Sequence, residues 1–219
     1  MTNQFDPTES ERKNAPQIFH PRFAALYERY ACSGSERRFT DPLREETAGQ
    51  AAGIVLEVGA GTGLNFRFYR PERIERVEAI EPDAAMLTYA RARARAAAVP
   101  ITLTQASVAA LPFAEATFDS VVVTLVFCSV EDPLQGFLEI KRVLKPQGTL
   151  FLFEHVRSQS AWIGRVQDAI VPLTTRLLGN CHWNRDPART VQEAGFTLTH
   201  LRRLKGGLDP HIVLQAHRP

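Results

Sequence analysis

The sequence predicts an α/β fold built on one mostly parallel sheet of seven strands, closed by an antiparallel C-terminal hairpin. Three observations predict it. From Gly53 onward, short β-branched runs alternate with helical stretches; a glycine-rich turn follows the first run; and the last two runs have no helix between them. Strands separated by helices require right-handed crossovers, hence a parallel sheet covered on both faces. Two neighbouring strands joined by a short link return antiparallel at its edge.

The elements follow in order. Residues 1–15 are polar and poor in large apolar groups, which predicts a disordered tail. Residues 16–52 read as a helical lid: Pro21 opens a helix with Phe23, Leu26, Tyr27 and Tyr30 at helical spacing, and Asp41-Pro42 starts a second. Residues 53–219 form one domain. Its strands are IVLEV (54–58), RVEAI (76–80), ITLTQ (101–105), FDSVVVTLV (118–126) and TLFLFEHV (149–156). Helices are predicted over Thr62–Tyr69, Asp83–Ala98 and Pro133–Leu144, the last capped by Asp132. A helix over Arg185–Ala194 stops at Gly195, and FTLTHLRRL (196–204) with HIVLQAHR (211–218) makes the hairpin. Residues 158–184 read as an insertion covering a ligand, with a helix that Pro172 should break or kink. ARARARAAA (90–98) reads as a solvated helix face.

Composition bounds the function. A chain of 219 residues, 44% hydrophobic and 23% charged, supports one full core. A net charge of +2 makes no electrostatic case for nucleic acid. No apolar run approaches the roughly 20 residues of a membrane span, and the N-terminus has no apolar signal core. Cys32, Cys128 and Cys181 are odd in number and never spaced C-x-x-C, which fits a reducing compartment. A cytoplasmic monomer or homodimer is expected.

LEVGAGTG, Leu56 to Gly63, carries the chemistry. Glycines at 59, 61 and 63 allow a tight turn and a close ligand approach. Leu64 stands where the dinucleotide fingerprint places its third glycine, and the G-K-[ST] ending of a P-loop is missing. A nicotinamide oxidoreductase is disfavoured accordingly. Glu57, at the end of the first strand, would repel a pyrophosphate but suits a cationic amine. Glu81 follows Gly61 by twenty residues, at the end of the second strand, where an acid accepts hydrogen bonds from ribose hydroxyls. A ribose plus an ammonium, without phosphate, describes S-adenosylmethionine. The plainer alternative is a tight turn with incidental acids, and two acids at strand ends count against it.

EVGAGTG, IEPD (80–83) and ALPF…FDSVV resemble the class I S-adenosylmethionine-dependent methyltransferases, whose sheet is Rossmann-like. GLNFRFY (63–69), TLVFCSVEDP (124–133), RVLKPQGTLFLFEHV (142–156), Trp162, GNCHWNRD and DPHIV (209–213) resemble the methyltransferase-like-seven group of small-thiol S-methyltransferases and its bacterial relatives. The resemblance implies that Glu57 and Asn65 meet the methionine end of the cofactor. The backbone of Gly59, Ala60, Gly61, Thr62 and Gly63 would pack against it, Glu81 would hold the ribose, and Pro82 and Met86 would flank the adenine. Many relatives carry an aspartate where Ser107 stands, so the contact to the adenine amine passes to backbone groups around Ser107 and Val108. Leu125, ending the fourth strand, completes the set. Gln147 replaces a glycine of the usual K-P-G-G turn. The N-terminal membrane segment of the group's animal members is not carried over.

On the acceptor side, Cys128 and His155 end the fourth and fifth strands and can face one crevice. With Tyr27, Tyr30, Cys181, His182 and Trp183 they form the expected substrate wall. His155 is the first candidate for a general base and His182 the second, because a thiol reacts as its thiolate. No ligand-spacing motif supports a metal, so none is expected. A small-molecule acceptor, a thiol foremost, is the leading reading. Phospholipid or quinone methylation, with a peripheral lipid contact through the Trp162 helix, stays open as an alternative. Arsenite methylation and a non-catalytic cofactor-binding protein are weaker ones.

Overall fold

The structure is a computed structural model that describes residues 19–177, 180–204 and 207–219, so the expected tail lies outside the described residues. Two helices lead. Helix α1 (Pro21–Ala31) has Pro21 in its first turn, as expected. Helix α2 (Gly34–Thr47) corrects the expected start at Asp41-Pro42. Ser33 caps it, accepting from the Glu36 amide at 3.4 Å; Ser33-x-x-Glu36 has the spacing of a capping box. Pro42 therefore falls inside the helix, which is held by the burial of Leu43, Arg44 and Thr47.

The Rossmann-like part comprises β1 (Gly53–Val58), β2 (Ile74–Ile80), α3 (Ala84–Ala96), β3 (Ile101–Thr104), β4 (Phe118–Thr124), α4 (Pro133–Val143) and β5 (Leu144–His155). Helix α5 (Ala161–Leu177), α6 (Pro187–Glu193), β6 (Thr197–Leu204) and β7 (His211–His217) follow. The seven strands form one sheet in the order β3-β2-β1-β4-β5-β7-β6, parallel through β5, with β7 antiparallel to both its neighbours. The expected sheet and hairpin are both present.

Alternation along the strands divides the core. Leu56, Val58, Val121, Val123, Leu150 and Leu152 face Phe137, Ile140 and Val191 on one side. Val55, Val77, Val122 and Phe151 face Ala90, Phe66 and Tyr69 on the other. Period-two burial on both faces is what helix-covered parallel strands require.

Three local readings change. Thr62–Tyr69 is no α-helix but a run of turns ending in a short 3₁₀ segment at Phe66–Phe68. Aromatic and asparagine side chains there reach the sheet, and those contacts outweigh the helical spacing. The helix expected to break or kink at Pro172 does not break there and continues to Leu177. Arg93, in the supposedly solvated arginine run, donates to the Thr62 carbonyl at 2.7 Å and pairs with Glu28 at 2.5 Å. It thereby ties α1 to the glycine turn. Gln147 adopts φ 62°, the left-handed conformation that the usual glycine takes readily.

Candidate active site

The carboxyl ends of β1, β4 and β5 open on one side of the sheet, where α/β proteins bind their ligands. Two groups of side chains meet there.

The first surrounds the glycine turn. Gly59 has φ +65°, and a Cβ on it would stand 2.5 Å from Val126, so the turn packs directly on the chain leaving β4. Gly61 has φ +55°, and a Cβ there would meet nothing within 4 Å; its outer face is an open cradle. Glu57 is buried, with Oε1 accepting from Asn65 Nδ2 at 3.1 Å and Oε2 from the Tyr69 hydroxyl at 2.6 Å. Burial pushes its carboxyl up to about 7, against the Tyr69 hydrogen bond and the Arg44 charge. Asn65 also donates to Thr124 Oγ1 and accepts from Arg44 Nη1 at 2.7 Å, which locks the acid's surroundings. Glu81 accepts from the Gly61 amide through Oε2 and from the Asp83 amide through Oε1, both at 2.9 Å.

These residues fit S-adenosylmethionine. A carboxyl poised near neutrality at a strand end suits an ammonium. Glu81 keeps a free lone pair on each oxygen beside the open face of Gly61, which suits a ribose diol. Met86 is buried under Ala24, Phe23 and Tyr27, so the N-terminal helix roofs this end of the cradle. Pro82, whose carbonyl accepts from Gln105, is only half-buried. Ser107 is exposed and caps its own turn by accepting from the Ala109 amide, while Val108 is core packing. Leu125 turns the chain with φ 57°, aiming the amides of Val126 and Phe127 at Glu154 Oε1 at 2.6 and 2.7 Å.

The second group lines a cavity of about 130 Å³ bounded by Phe127, Cys128, His155, Arg185, Pro187 and Thr190. Cys128 and His155 thus share one crevice. Cys181 belongs with them: it is buried, and the His182 amide donates to the Cys128 carbonyl at 2.8 Å. The contact with Cys181, together with burial, holds the Cys128 thiol well above the ordinary range. Trp183 stacks on His155 at 6.1 Å between ring centroids. His182 turns its ring to Asn180 instead and does not line the cavity. Tyr27 is half-buried beside Arg44, whereas Tyr30 is 61% exposed. Trp162, at 71% exposure, points to solvent.

Several residues of this site were not foreseen. Asp209 and His211, inside the quoted DPHIV, reach His155 from β7 and the turn before it. Arg44 and Gln167 carried no motif, and Tyr69 closed the quoted GLNFRFY without an assigned role. Gln167 is fully buried, its Nε2 facing the carbonyls of Val156, Trp183 and Leu208 while Oε1 accepts from Ser158. Gln167→Ala is expected to lower stability by about 2 kcal/mol, because it strands four backbone groups in a buried place. Urea denaturation checks this, and Trp183 fluorescence should report a loosened turn.

Residues 56–152 match the family described as a methyltransferase domain. The chain belongs to the class I S-adenosylmethionine-dependent methyltransferases. Within that class it is 30% identical over 200 residues to human thiol S-methyltransferase TMT1A, covering 89% of this chain and 80% of that one. It is also 30% identical over 174 residues to the demethylmenaquinone methyltransferase of Deinococcus radiodurans, covering 76% and 72%. The fold matches the geranyl diphosphate C-methyltransferase of Streptomyces coelicolor, solved with S-adenosyl-L-homocysteine, with TM-score 0.67, 14% identity and coverage of 84% and 80%. Among the described residues no helix is long and apolar enough to cross a membrane.

Proposed function

We propose that the protein methylates the sulfur of a small thiol. One observation carries the reading: His155 lines a small cavity with Cys128 beside it, and its Nδ1 is engaged by Asp209, which leaves Nε2 to take a proton. A histidine suits a thiol, whose pKa is about 8.5, better than a phenol near 10. The similarity to human thiol S-methyltransferase TMT1A supports the same acceptor.

Glu57 holds the ammonium of the cofactor, with Asn65 and Tyr69 fixing the acid. Glu81 takes the ribose hydroxyls, the backbone of Gly59–Gly63 lies along the cofactor, and Pro82 and Met86 border the adenine, with the backbone near Ser107 reading its edge. When bound, S-adenosylmethionine supplies a sulfonium-activated methyl group open to in-line attack. The chain's part is to align the acceptor, exclude water and receive its proton. Helices α1 and α2 and residues 158–184 act as covers, with Tyr27 facing the crevice. The setting is the cytoplasm.

The test is an acceptor panel of alkyl thiols, amines, phenols and quinols, scored by S-adenosylhomocysteine formed. The highest kcat/KM is expected for a thiol. A quinol turned over with every thiol refused would replace this reading with that of the demethylmenaquinone methyltransferase relative.

A further inference from the structure

The β5–β7 register sets His155 opposite His211, and Asp209 lies two residues before His211. Three elements therefore converge on His155. Asp209 Oδ1 lies 2.5 Å from its Nδ1, His211 packs at 4.5 Å between rings, and Trp183 stacks on it. Phe39 and Phe153 flank His211 at 5.1 and 5.3 Å, so the dyad has an aromatic wall behind it.

We infer that Asp209 is a positioning residue, which fixes the His155 proton on Nδ1 and holds the imidazolium once Nε2 has taken the proton of the acceptor. The inference rests on the acceptor reading above, in that the group giving up the proton is the thiol. In the step the S–H bond breaks, the Nε2–H bond forms, and the S–H electron pair stays on sulfur as the lone pair of the thiolate. The imidazolium then stands against the Asp209 carboxylate, and its proton leaves to solvent after product release.

The surroundings decide the charge. Facing His155 are Asp209 and His211 from the β7 side, Cys181 from the turn after α5, Cys128 from the chain after β4, and Glu154 from its own strand; Arg185 lines the same cavity, and Tyr30 on α1 lies in the field of Asp209. Burial pulls His155 down, but the hydrogen bond and charge of Asp209 outweigh it, and its pKa ends above the ordinary histidine value. Burial and the neighbouring His155 push His211 down to about 4, so His211 stays neutral and leaves the carboxylate's charge to His155. The distance from His211 Nε2 to Asp209 is 3.7 Å, longer than a hydrogen bond.

His155, Asp209 and His211 also offer ligand atoms within 4.8 Å of one another, a spacing a metal ion could use. His155 Nδ1 and Asp209 Oδ1 already share a short hydrogen bond, the arrangement of a proton-holding pair.

The experiment compares wild type with Asp209→Asn and Asp209→Glu, each bound to S-adenosylhomocysteine, by an NMR titration of the His155 ring, which needs no acceptor. The acid limb of kcat/KM is then followed with alkyl thiols. In Asp209→Asn the His155 pKa should fall by about one unit or more, and the acid limb should move down with it. Turnover should drop about a hundredfold, the lower range for general-base effects, with cofactor affinity unchanged and partial recovery in Asp209→Glu. An unmoved His155 titration overturns the inference. So does stoichiometric zinc in the purified wild type that Asp209→Asn and His211→Ala both lose, which would make the cluster a metal centre. If the titration moves but no thiol is turned over, the dyad stands and the acceptor assignment fails.

Discussion

Replacing Glu81 with alanine is expected to weaken S-adenosylmethionine binding by about two orders of magnitude. Two ribose hydroxyls donating to one carboxylate are charge-assisted bonds, each worth roughly 1.5–3 kcal/mol, and a loss of about 3 kcal/mol is a little over a hundredfold. The same substitution removes the acceptors of the Gly61 and Asp83 amides, so the turn itself loosens. A deoxyribose analogue of S-adenosylhomocysteine separates the two effects by calorimetry. Wild type should bind it far more weakly than the natural compound, while Glu81→Ala should hardly distinguish them. Equal preference in both proteins would remove Glu81 from the ribose.

Cofactor affinity should also depend steeply on pH through Glu57. In the free protein burial lifts this carboxyl to about 7. An ammonium bound beside it stabilises the charged form, so the bound pKa lies below the free one. The complex then holds fewer protons than its parts, and affinity rises with pH until the free group is ionised. The dissociation constant should thus increase up to tenfold for each unit below about pH 7 and level off above it. Binding at neutral pH should release a fraction of a proton, read from calorimetry in buffers of different ionisation enthalpy. Glu57→Gln keeps an acceptor for Tyr69 but cannot ionise. It should bind with little dependence on pH and release no proton. A wild-type constant that stays flat from pH 5 to 8 would place the ammonium elsewhere.

The sheet was legible because its rule is local. Val55 and Leu56 face opposite cores, as do Val122 and Val123, and β-branched runs of that length between helices allow few other arrangements. The cofactor half was legible for a similar reason: glycines at fixed offsets and acids at strand ends encode it within one β-turn-β unit. Elsewhere local signals misled. Ser33-x-x-Glu36 sets the start of α2, upstream of the start expected at Asp41-Pro42. The helix expected over Thr62–Tyr69 gave way to burial of Phe66 and Tyr69 against the sheet.

The acceptor side was legible only in part. Cys128 and His155 could be paired from their strand ends, and Trp183 does join them. Asp209 could not, because its approach depends on the antiparallel register of β7 against β5, which is a long-range property. Neither could Gln167, whose partners lie in three separate segments. His182 was read from its neighbours in sequence, yet the backbone around Cys181 turns its ring away from the cavity and toward Asn180.

Methyl transfer to sulfur can be followed atom by atom. Its most direct measurement supplies S-adenosylmethionine with an isotope-labelled methyl group to an equimolar mixture of an alkyl thiol, a phenol, an amine and a quinol, and locates the label by NMR and mass spectrometry. Label is expected on the thiol sulfur, in step with S-adenosylhomocysteine, and should be lost in His155→Gln with cofactor binding intact. Label on oxygen, nitrogen or ring carbon, with the thiol untouched, would contradict it.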